Sequence, residues 1–280
     1  MNTTLLGRIV VANRIRVLAC ALGLTAWGAV IPLIYATFGQ TMADFLQSNP
    51  LLRQFSQFGG GDLFSLAGTI ALGLIHPFSI LLLGIIAIGY PATAIAGERQ
   101  RGTLEVLLAR PVSRRTVYLT SWAAGAGFLA LLLALELGAN VVSALVTGVG
   151  ADLVLANVVL LWLNAWLLFV AFLSIAFAAS VSFDRMPPAL GVPLAIVLVF
   201  YVADALGSIW PDIAWVREWS VFHLVKAQQV LSDGAVSSDL LVLVAIIVGT
   251  VGYALVRFPR RDLAAPSRSE EHTSELQSRG

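Results

Sequence analysis

Long uncharged apolar stretches alternate with short charged clusters along most of the chain. A helix needs about 20 apolar residues to cross a bilayer, because each residue advances about 1.5 Å through a hydrocarbon core about 30 Å thick. Six stretches are long enough, and they predict membrane-spanning helices at about residues 17–38, 63–97, 117–151, 156–180, 188–203 and 239–256. The second and third exceed one crossing, so each is expected to be one long helix that kinks or extends beyond the bilayer. Pro77 and Pro91 mark the kinks of the second.

The residues before the first predicted span have an amphipathic pattern, in which apolar residues alternate with arginines between residues 5 and 16. A helix of this kind lies in the membrane interface. We therefore expect a short interfacial elbow helix there. Because arginines interrupt this region, it does not resemble a cleaved signal peptide. The predicted fold class is all-α: a polytopic membrane protein with six transmembrane helices, this elbow helix and a short cytoplasmic helix described below.

Positively charged residues fall mostly on one side of the predicted spans. If the N-terminus is cytoplasmic, twelve arginines lie on the cytoplasmic side, and only Arg53, Arg217 and Lys226 lie on the other. Cytoplasmic loops are enriched in Lys and Arg, so both termini are expected to be cytoplasmic. The last outer loop then contains three tryptophans suited to the membrane interface: Trp210, Trp215 and Trp219.

Composition and charge exclude several classes of protein. The chain is 58% apolar and 12% charged, against about 25% charged in soluble domains, which excludes a soluble globular enzyme. A net charge of +1 leaves no basic surface of the kind that nucleic-acid binding needs. The single cysteine, Cys20, permits no intrachain disulfide, and the Cys and His spacings of metal sites are absent.

The composition changes at residue 268: residues 268–280 are polar and acidic and resemble a translated sequencing adapter. We therefore expect a membrane domain at 1–267, followed by a non-native or disordered tail.

Motifs for bond-making chemistry are missing from the chain. The phosphate-binding pattern G-x-x-x-x-G-K-[ST] is absent, and the only lysine, Lys226, follows Val225. No G-x-S-x-G or H-E-x-x-H pattern occurs either. We therefore expect no catalytic residues, no bound metal and no cofactor in this chain.

The loop between the second and third predicted spans carries the most informative pattern. Thr103 is suited to cap a short helix, Glu105 to its first turn and Arg110 to its last, and Pro111 ends it. Three leucines share one face at i, i+3 and i+4 spacing: Leu104, Leu107 and Leu108. Such a helix can insert into a groove of a cytosolic protein. An ordinary cytoplasmic loop whose leucines contact lipid headgroups remains the alternative.

Residues 97–114 contain Gly-Glu-Arg-Gln-Arg-Gly-Thr-Leu-Glu followed by Leu-Leu-Ala-Arg-Pro-Val-Ser-Arg. This run resembles the pattern A-G-E-x-x-x-G-T-L-(E/D)-x-L-L-x-x-P-(V/I)-S-R of ABC-2-type permeases, the membrane subunits of ABC exporters. His76-Pro77 and residues 87–89 are also similar to that class. In the family this segment contains the coupling helix that docks on a separate ATPase, which would account for the missing phosphate-binding motif.

The resemblance implies an ATP-driven permease with ATP and Mg on a cytosolic ABC ATPase partner. It also implies a second permease copy or a sister permease, surrounding membrane lipid, and the plasma membrane of a prokaryote as the location. The cargo would be amphiphilic or hydrophobic. By the same resemblance, the residues that couple the chain to the ATPase are Glu98, Arg99, Arg101, Gly102, Thr103, Glu105 and Arg110.

Three ionisable residues lie within or beside the apolar stretches. Glu136 and Asp204 are each about 30 Å from the predicted cytoplasmic face if helical, and we expect them near the outer boundary. They would line a translocation route or pair with Arg217 at an outer gate; solvated acids at the interface are the alternative. His76 either exchanges a proton or hydrogen-bonds a backbone carbonyl freed by the Pro77 kink. An ion-gradient-driven secondary transporter that uses one of these residues is the alternative function.

Overall fold

The computed structural model describes residues 2–47, 65–103, 112–151, 153–235 and 238–260. Within these ranges the chain forms helices and no strand. The main elements are α1 (Thr3–Gln47), α2 (Leu66–Ile75), α3 (Pro77–Gln100), α4 (Arg114–Val146), α5 (Leu155–Ser182), α6 (Met186–Ile209), a 3-10 segment (Pro211–Trp219), α7 (Ala227–Asp233) and α8 (Leu240–Arg260).

Six helices of the described part of the chain are long and apolar enough to cross a membrane: α1, α3, α4, α5, α6 and α8. This confirms the predicted all-α polytopic fold class. Apolar side chains of α1, α6 and α8 remain exposed, among them Leu22, Val199 and Leu241. Such outward-facing apolar surface suits contact with lipid. The predicted coupling helix, with Glu105 and Arg110, and the predicted tail at 268–280 lie outside the described residues.

The expected elbow is not a separate helix. The residues between 5 and 16 form the beginning of α1, which continues without interruption from Thr3 to Gln47. The Asn2 side chain caps this start by accepting a hydrogen bond from the Leu5 N–H at 3.0 Å. Residues 8–16 contain no glycine or proline, so no local signal ends the helix before the first span.

The second predicted span is two helices, not one kinked helix. His76 has an extended backbone with ψ 143° between α2 and α3, as expected of a residue that precedes proline. Pro91 causes a milder change, because it lies between two π-helical turns, Ile85–Gly89 and Ala92–Gly97, and α3 continues through them. The predicted bend at Pro77 is therefore a complete break.

α5 is the most buried of the six long helices, and α8 is the least buried. α5 packs against α3, α4, α6 and α8 and forms the centre of the bundle. α1 lies along α4, and the two backbones approach closely where Gly28 meets Glu136: a Cβ on Gly28 would lie 2.2 Å from the Glu136 carbonyl oxygen. Only glycine fits at this contact.

The loops define two ends of the bundle. The end of α3, the start of α4 and the α5–α6 loop lie at one end, which we call the Glu98 end. The end of α6, the 3-10 segment, α7 and α2 lie at the other, the Asp204 end. There, the Asn157 amide donates to the Leu231 carbonyl at 2.9 Å, and Lys226 binds Asp239 at 2.7 Å. These contacts attach the connecting segments to the long helices.

Candidate functional site

Residues 98–103, which belong to the motif found in the sequence, form the C-terminal end of α3 and the turn that follows it. The Thr103 N–H donates to the Glu98 carbonyl at 3.0 Å, and the Gly102 N–H donates to the Arg99 carbonyl at 3.0 Å. Together with the positive φ of Gly102, 69°, these bonds form a Schellman motif, a common way to end a helix. Gly102 is therefore needed by the backbone, whatever the loop contacts.

The Glu98 carboxylate binds two other side chains at this helix terminus. It accepts hydrogen bonds from the Arg101 guanidinium and from the Thr103 hydroxyl, each at 2.5 Å. Both bonds involve a charged group, which makes them stronger than neutral ones. Four residues that sequence analysis assigned to ATPase coupling, Glu98, Arg101, Gly102 and Thr103, thus lie together at the entry to the loop.

Arg99 and Gln100 point the other way, toward the α5–α6 loop. Arg99 Nη1 donates to the Phe183 carbonyl at 3.0 Å and lies 3.5 Å from the Asp184 carboxylate. The Gln100 side-chain oxygen accepts from the Met186 N–H, at the start of α6, at 2.9 Å. The Arg99 side chain is only 13% exposed. It therefore connects two parts of this chain and offers little surface to another protein.

Ser180 adds a second connection between α3 and the end of α5. Its hydroxyl donates to the Pro91 carbonyl at 2.8 Å and accepts from the Ala96 N–H at 2.9 Å. Both groups lie at the second π-helical turn of α3, where regular helical bonding is interrupted. Sequence analysis missed Gln100 and Ser180, because no local pattern shows which residue about 85 positions away each one contacts.

An apolar groove with a volume of about 550 Å³ runs between α3 and α6. Leu81, Ile85 and Ile88 line it from α3, and Leu194 and Leu198 line it from α6. Two phenylalanines of α5 and Arg16 of α1 complete the lining: Phe169, Phe172 and Arg16. The volume falls within the range of about 300–1,000 Å³ usual for small-molecule sites. The α5–α6 loop held by Arg99 leads directly into one wall of this groove.

Glu136 is buried at 1% exposure, which contradicts the alternative of an acid solvated at the interface. Its side chain contacts the Ser79 hydroxyl at 2.6 Å, and that hydroxyl lies 2.9 Å from the Gly73 carbonyl. The Trp27 indole N–H also donates to the Gly73 carbonyl, at 3.0 Å. Glu136 therefore joins α4 to the break between α2 and α3, where α1 also packs.

The His76 side chain does not bind the carbonyl that the break frees. Its Nδ1 accepts a hydrogen bond from the Phe78 N–H at 3.2 Å and so caps the start of α3. The carbonyl freed by the break is that of Gly73, and the Ser79 hydroxyl and the Trp27 indole N–H donate to it. His76 reaches this carbonyl with its backbone N–H, at 3.4 Å, and not with its side chain. The His76 ring packs on the Trp27 ring with centroids 4.6 Å apart.

Asp204 is buried at 5% exposure and forms an ion pair with Arg217, whose Nε donates to Oδ1 at 3.0 Å. The backbones also approach, because a Cβ on Gly207 would lie 2.9 Å from the Arg217 nitrogen. The 3-10 segment thus folds back onto the end of α6. The expected contact with Arg217 is made by Asp204, whereas Glu136 belongs to a separate cluster.

His223 follows this segment, outside the membrane-spanning helices. Burial, and then the positive charge of Arg217, lower the pKa of His223. Three tryptophans near the same end are exposed at 53%, 62% and 76%: Trp210, Trp215 and Trp219. Within the described ranges, no group of three His, Cys, Asp or Glu side chains is arranged to hold a metal ion.

Comparison with known proteins agrees with this architecture. The sequence profile described as ABC-2 family transporter protein matches residues 24–263, a range that contains the C-terminal half of α1 and all of α2 to α8. No match was found among curated proteins. Because the matched range covers most of the 280 residues, the chain belongs to the ABC-2 family of transporter proteins.

Proposed function

We propose that this chain is the permease subunit of an ATP-driven ABC exporter in which a separate subunit hydrolyses ATP. The sequence contains no phosphate-binding motif, so ATP and Mg would bind the ATPase partner. Two permease copies, or this chain and a sister permease, would enclose the route. The apolar groove between α3 and α6 supports an amphiphilic or hydrophobic cargo.

The observation that carries this proposal is the set of contacts at the Glu98 end. Glu98 holds Arg101 and Thr103 at the entry to the loop. The adjacent residues, Arg99 and Gln100, bind the α5–α6 loop. A force applied to the loop after Thr103 would therefore reach both α3 and α6, which are the two main walls of the groove.

This arrangement suggests how ATP hydrolysis could drive transport. Closure of two ATPase subunits would displace the loop that contains Glu105 and Arg110. Long helices behave as rigid levers in such transitions, so α3 and α6 would move relative to each other and alter the width of the groove. At the Asp204 end, the Asp204–Arg217 ion pair would act as an outer contact that must adjust when α6 moves.

The proposed function also implies which end of the helix bundle faces the cytoplasm. The Glu98 end would face the cytoplasm of a prokaryotic cell, because Arg99, Arg101, Arg114 and Arg115 cluster there. The exposed tryptophans near the Asp204 end would then lie at the outer interface, where indole rings are favoured. Glycosylation-site or cysteine-accessibility mapping of positions 235 and 112 tests this assignment directly.

The central experiment is copurification with a candidate ABC ATPase from the same organism, with and without ATP. We expect a stable complex, and transport in vesicles that requires both subunits and ATP. An alanine variant of Leu107 and Leu108 should weaken the complex, whereas the same change at exposed Leu241 and Val242 of α8 should not. Transport by the purified chain alone, driven by an ion gradient, would favour the secondary transporter and overturn this proposal.

A further inference from the structure

Arg16 has an unusual position, because it is the one charged residue among the described residues that line the apolar groove. α1 and α3 run in opposite directions: Gly23 contacts Leu82, and Trp27 packs on His76. Counting seven residues back from Gly23 brings Arg16 level with Gly89, near the middle of α3. Gly89 is also a lining residue, in agreement with this register.

Among the described residues that line the groove with Arg16, none is acidic. Arg16 donates a hydrogen bond to the neutral Asn13 side chain on the same helix, at 3.3 Å. Within the part of the chain that the structure describes, no ion pair involves Arg16. A guanidinium beside apolar helices is energetically costly unless an anion approaches it. The charge complement of Arg16 is therefore expected from a bound molecule.

The groove also has the length for an apolar chain. From Gly89 to Pro77 it extends along α3 for twelve residues, or about 18 Å. One leaflet of the hydrocarbon core is about 15 Å thick, so an acyl chain fits within this distance. The walls along this stretch are aliphatic and aromatic, including Leu81, Leu198 and Phe169.

We propose that the α3–α6 groove binds an anionic amphiphile from the bilayer, with an acyl chain along the groove and an acidic headgroup on Arg16. The proposal names the cargo class of the exporter and in that respect rests on the proposed function. Neutral and zwitterionic lipids lack the net negative charge that Arg16 attracts. A second copy of this chain seated on the groove is the competing occupant.

The test uses the full chain in phosphatidylcholine vesicles that contain a photoactivatable lipid with its reactive group on the acyl chain. Phosphatidylglycerol and phosphatidylcholine probes are compared, and labelled peptides are mapped by mass spectrometry. We expect phosphatidylglycerol to label the α3 and α6 groove peptides about fivefold more, the preference that one basic residue near anionic lipid provides. Arg16→Gln should remove this preference, and Arg16→Lys should retain it.

Arg14→Gln is the matched control, because Arg14 is an exposed arginine on the same helix that does not line the groove. It should keep the fivefold preference. Leu198→Trp should reduce labelling by both lipids, because the indole fills the groove. Size-exclusion profiles and melting temperatures establish that each variant is folded.

Equal labelling by the two lipids in the wild-type chain would overturn the proposal, and so would an unchanged preference in Arg16→Gln. A disulfide formed between two copies of a Leu194→Cys variant, under an added thiol oxidant, would show a second copy in the groove and would also overturn it. The measurement needs no ATPase. If the lipid preference is present but no ATPase associates with the chain, the binding site stands and the proposed exporter function fails.

Discussion

Asp204 and Arg217 form an ion pair, at 3.0 Å between Arg217 Nε and Asp204 Oδ1, that fastens the 3-10 segment to the end of α6. The carboxylate is almost fully buried, whereas the guanidinium is 22% exposed. Removing one partner of such a pair leaves the other charge in a place with little water. The contact therefore holds the polypeptide that leaves α6 against the helix it has just left.

Asp204→Asn should destabilise the Asp204 end by about 2 kcal/mol, a value reduced from that of fully buried pairs because Arg217 is partly exposed. The fluorescence of the nearby tryptophans reports this change, together with the melting temperature. The double variant Asp204→Asn, Arg217→Gln should recover part of the loss, because no unpaired charge remains. Equal stability of wild type and Asp204→Asn would show that the pair does not hold the segment.

Gly28→Ala should force α1 away from α4, because the added methyl would lie 2.2 Å from the Glu136 carbonyl oxygen. Overpacking of this kind costs about 1–3 kcal/mol. Gly127→Ala, in α4, is the control: a Cβ there meets no atom within 4 Å, so the change should be neutral or stabilising by helix propensity. Thermal unfolding in detergent distinguishes the two variants. Equal melting temperatures for Gly28→Ala and Gly127→Ala would contradict the close contact between α1 and α4.

Glu98→Gln and Gly102→Ala should uncouple ATP hydrolysis from transport while membrane insertion is unchanged. The first weakens the charged hydrogen bonds to Arg101 and Thr103. The second strains the helix terminus by about 1 kcal/mol, because alanine resists the positive φ of this position. Gly102→Asn should behave more like wild type, since asparagine tolerates this conformation. Normal coupled transport in both principal variants would argue against the coupling role.

Arg99→Gln should increase the ATP consumed for each molecule transported, because it removes the bond from α3 to the Phe183 carbonyl. Loss of a hydrogen bond from a charged donor costs about 1.5–3 kcal/mol. Arg185→Gln removes the same charge from the α5–α6 loop at an exposed position and serves as control. If the two variants show the same coupling ratio, Arg99 does not transmit movement to α6.

Stability should depend on pH through His223. Its pKa is lowered by burial and by Arg217, so the folded state favours the neutral ring. The resulting stability is present above the ordinary value of 6.5 and is lost as the pH falls toward the lowered pKa. The negative charges of Asp204 and Glu218 raise the pKa of His223 and so oppose this shift, whereas the positive charge of Lys226 lowers it further. The melting temperature of wild type should fall more steeply below pH 6.5 than that of His223→Gln; parallel curves would contradict this.

Hydropathy alone predicted the helical membrane fold and the approximate positions of five of the six spans, whereas the stretch at 63–97 contains α2 as well as the span α3. This succeeds because a bilayer requires each crossing to satisfy its own backbone hydrogen bonds within about 20 apolar residues, which is a local property of the chain. The family resemblance also came from a short continuous stretch, residues 97–114. Local signals were weaker at helix boundaries: nothing before Arg16 separated an elbow from α1, and Pro77 indicated a kink where His76 makes a break.

The interactions of the candidate sites depend on packing between distant parts of the chain. Arg99 binds Phe183, Glu136 contacts Ser79, and Arg16 borders a groove made by α3 and α6. Residue type indicated that these side chains need polar partners, but many partners were possible for each. The partner that each side chain finds depends on which helices lie side by side and on how far each helix is shifted along its neighbour. Close backbone contacts, such as that of Gly28 in α1 with Glu136 in α4, fix this alignment, and they form only in the folded bundle.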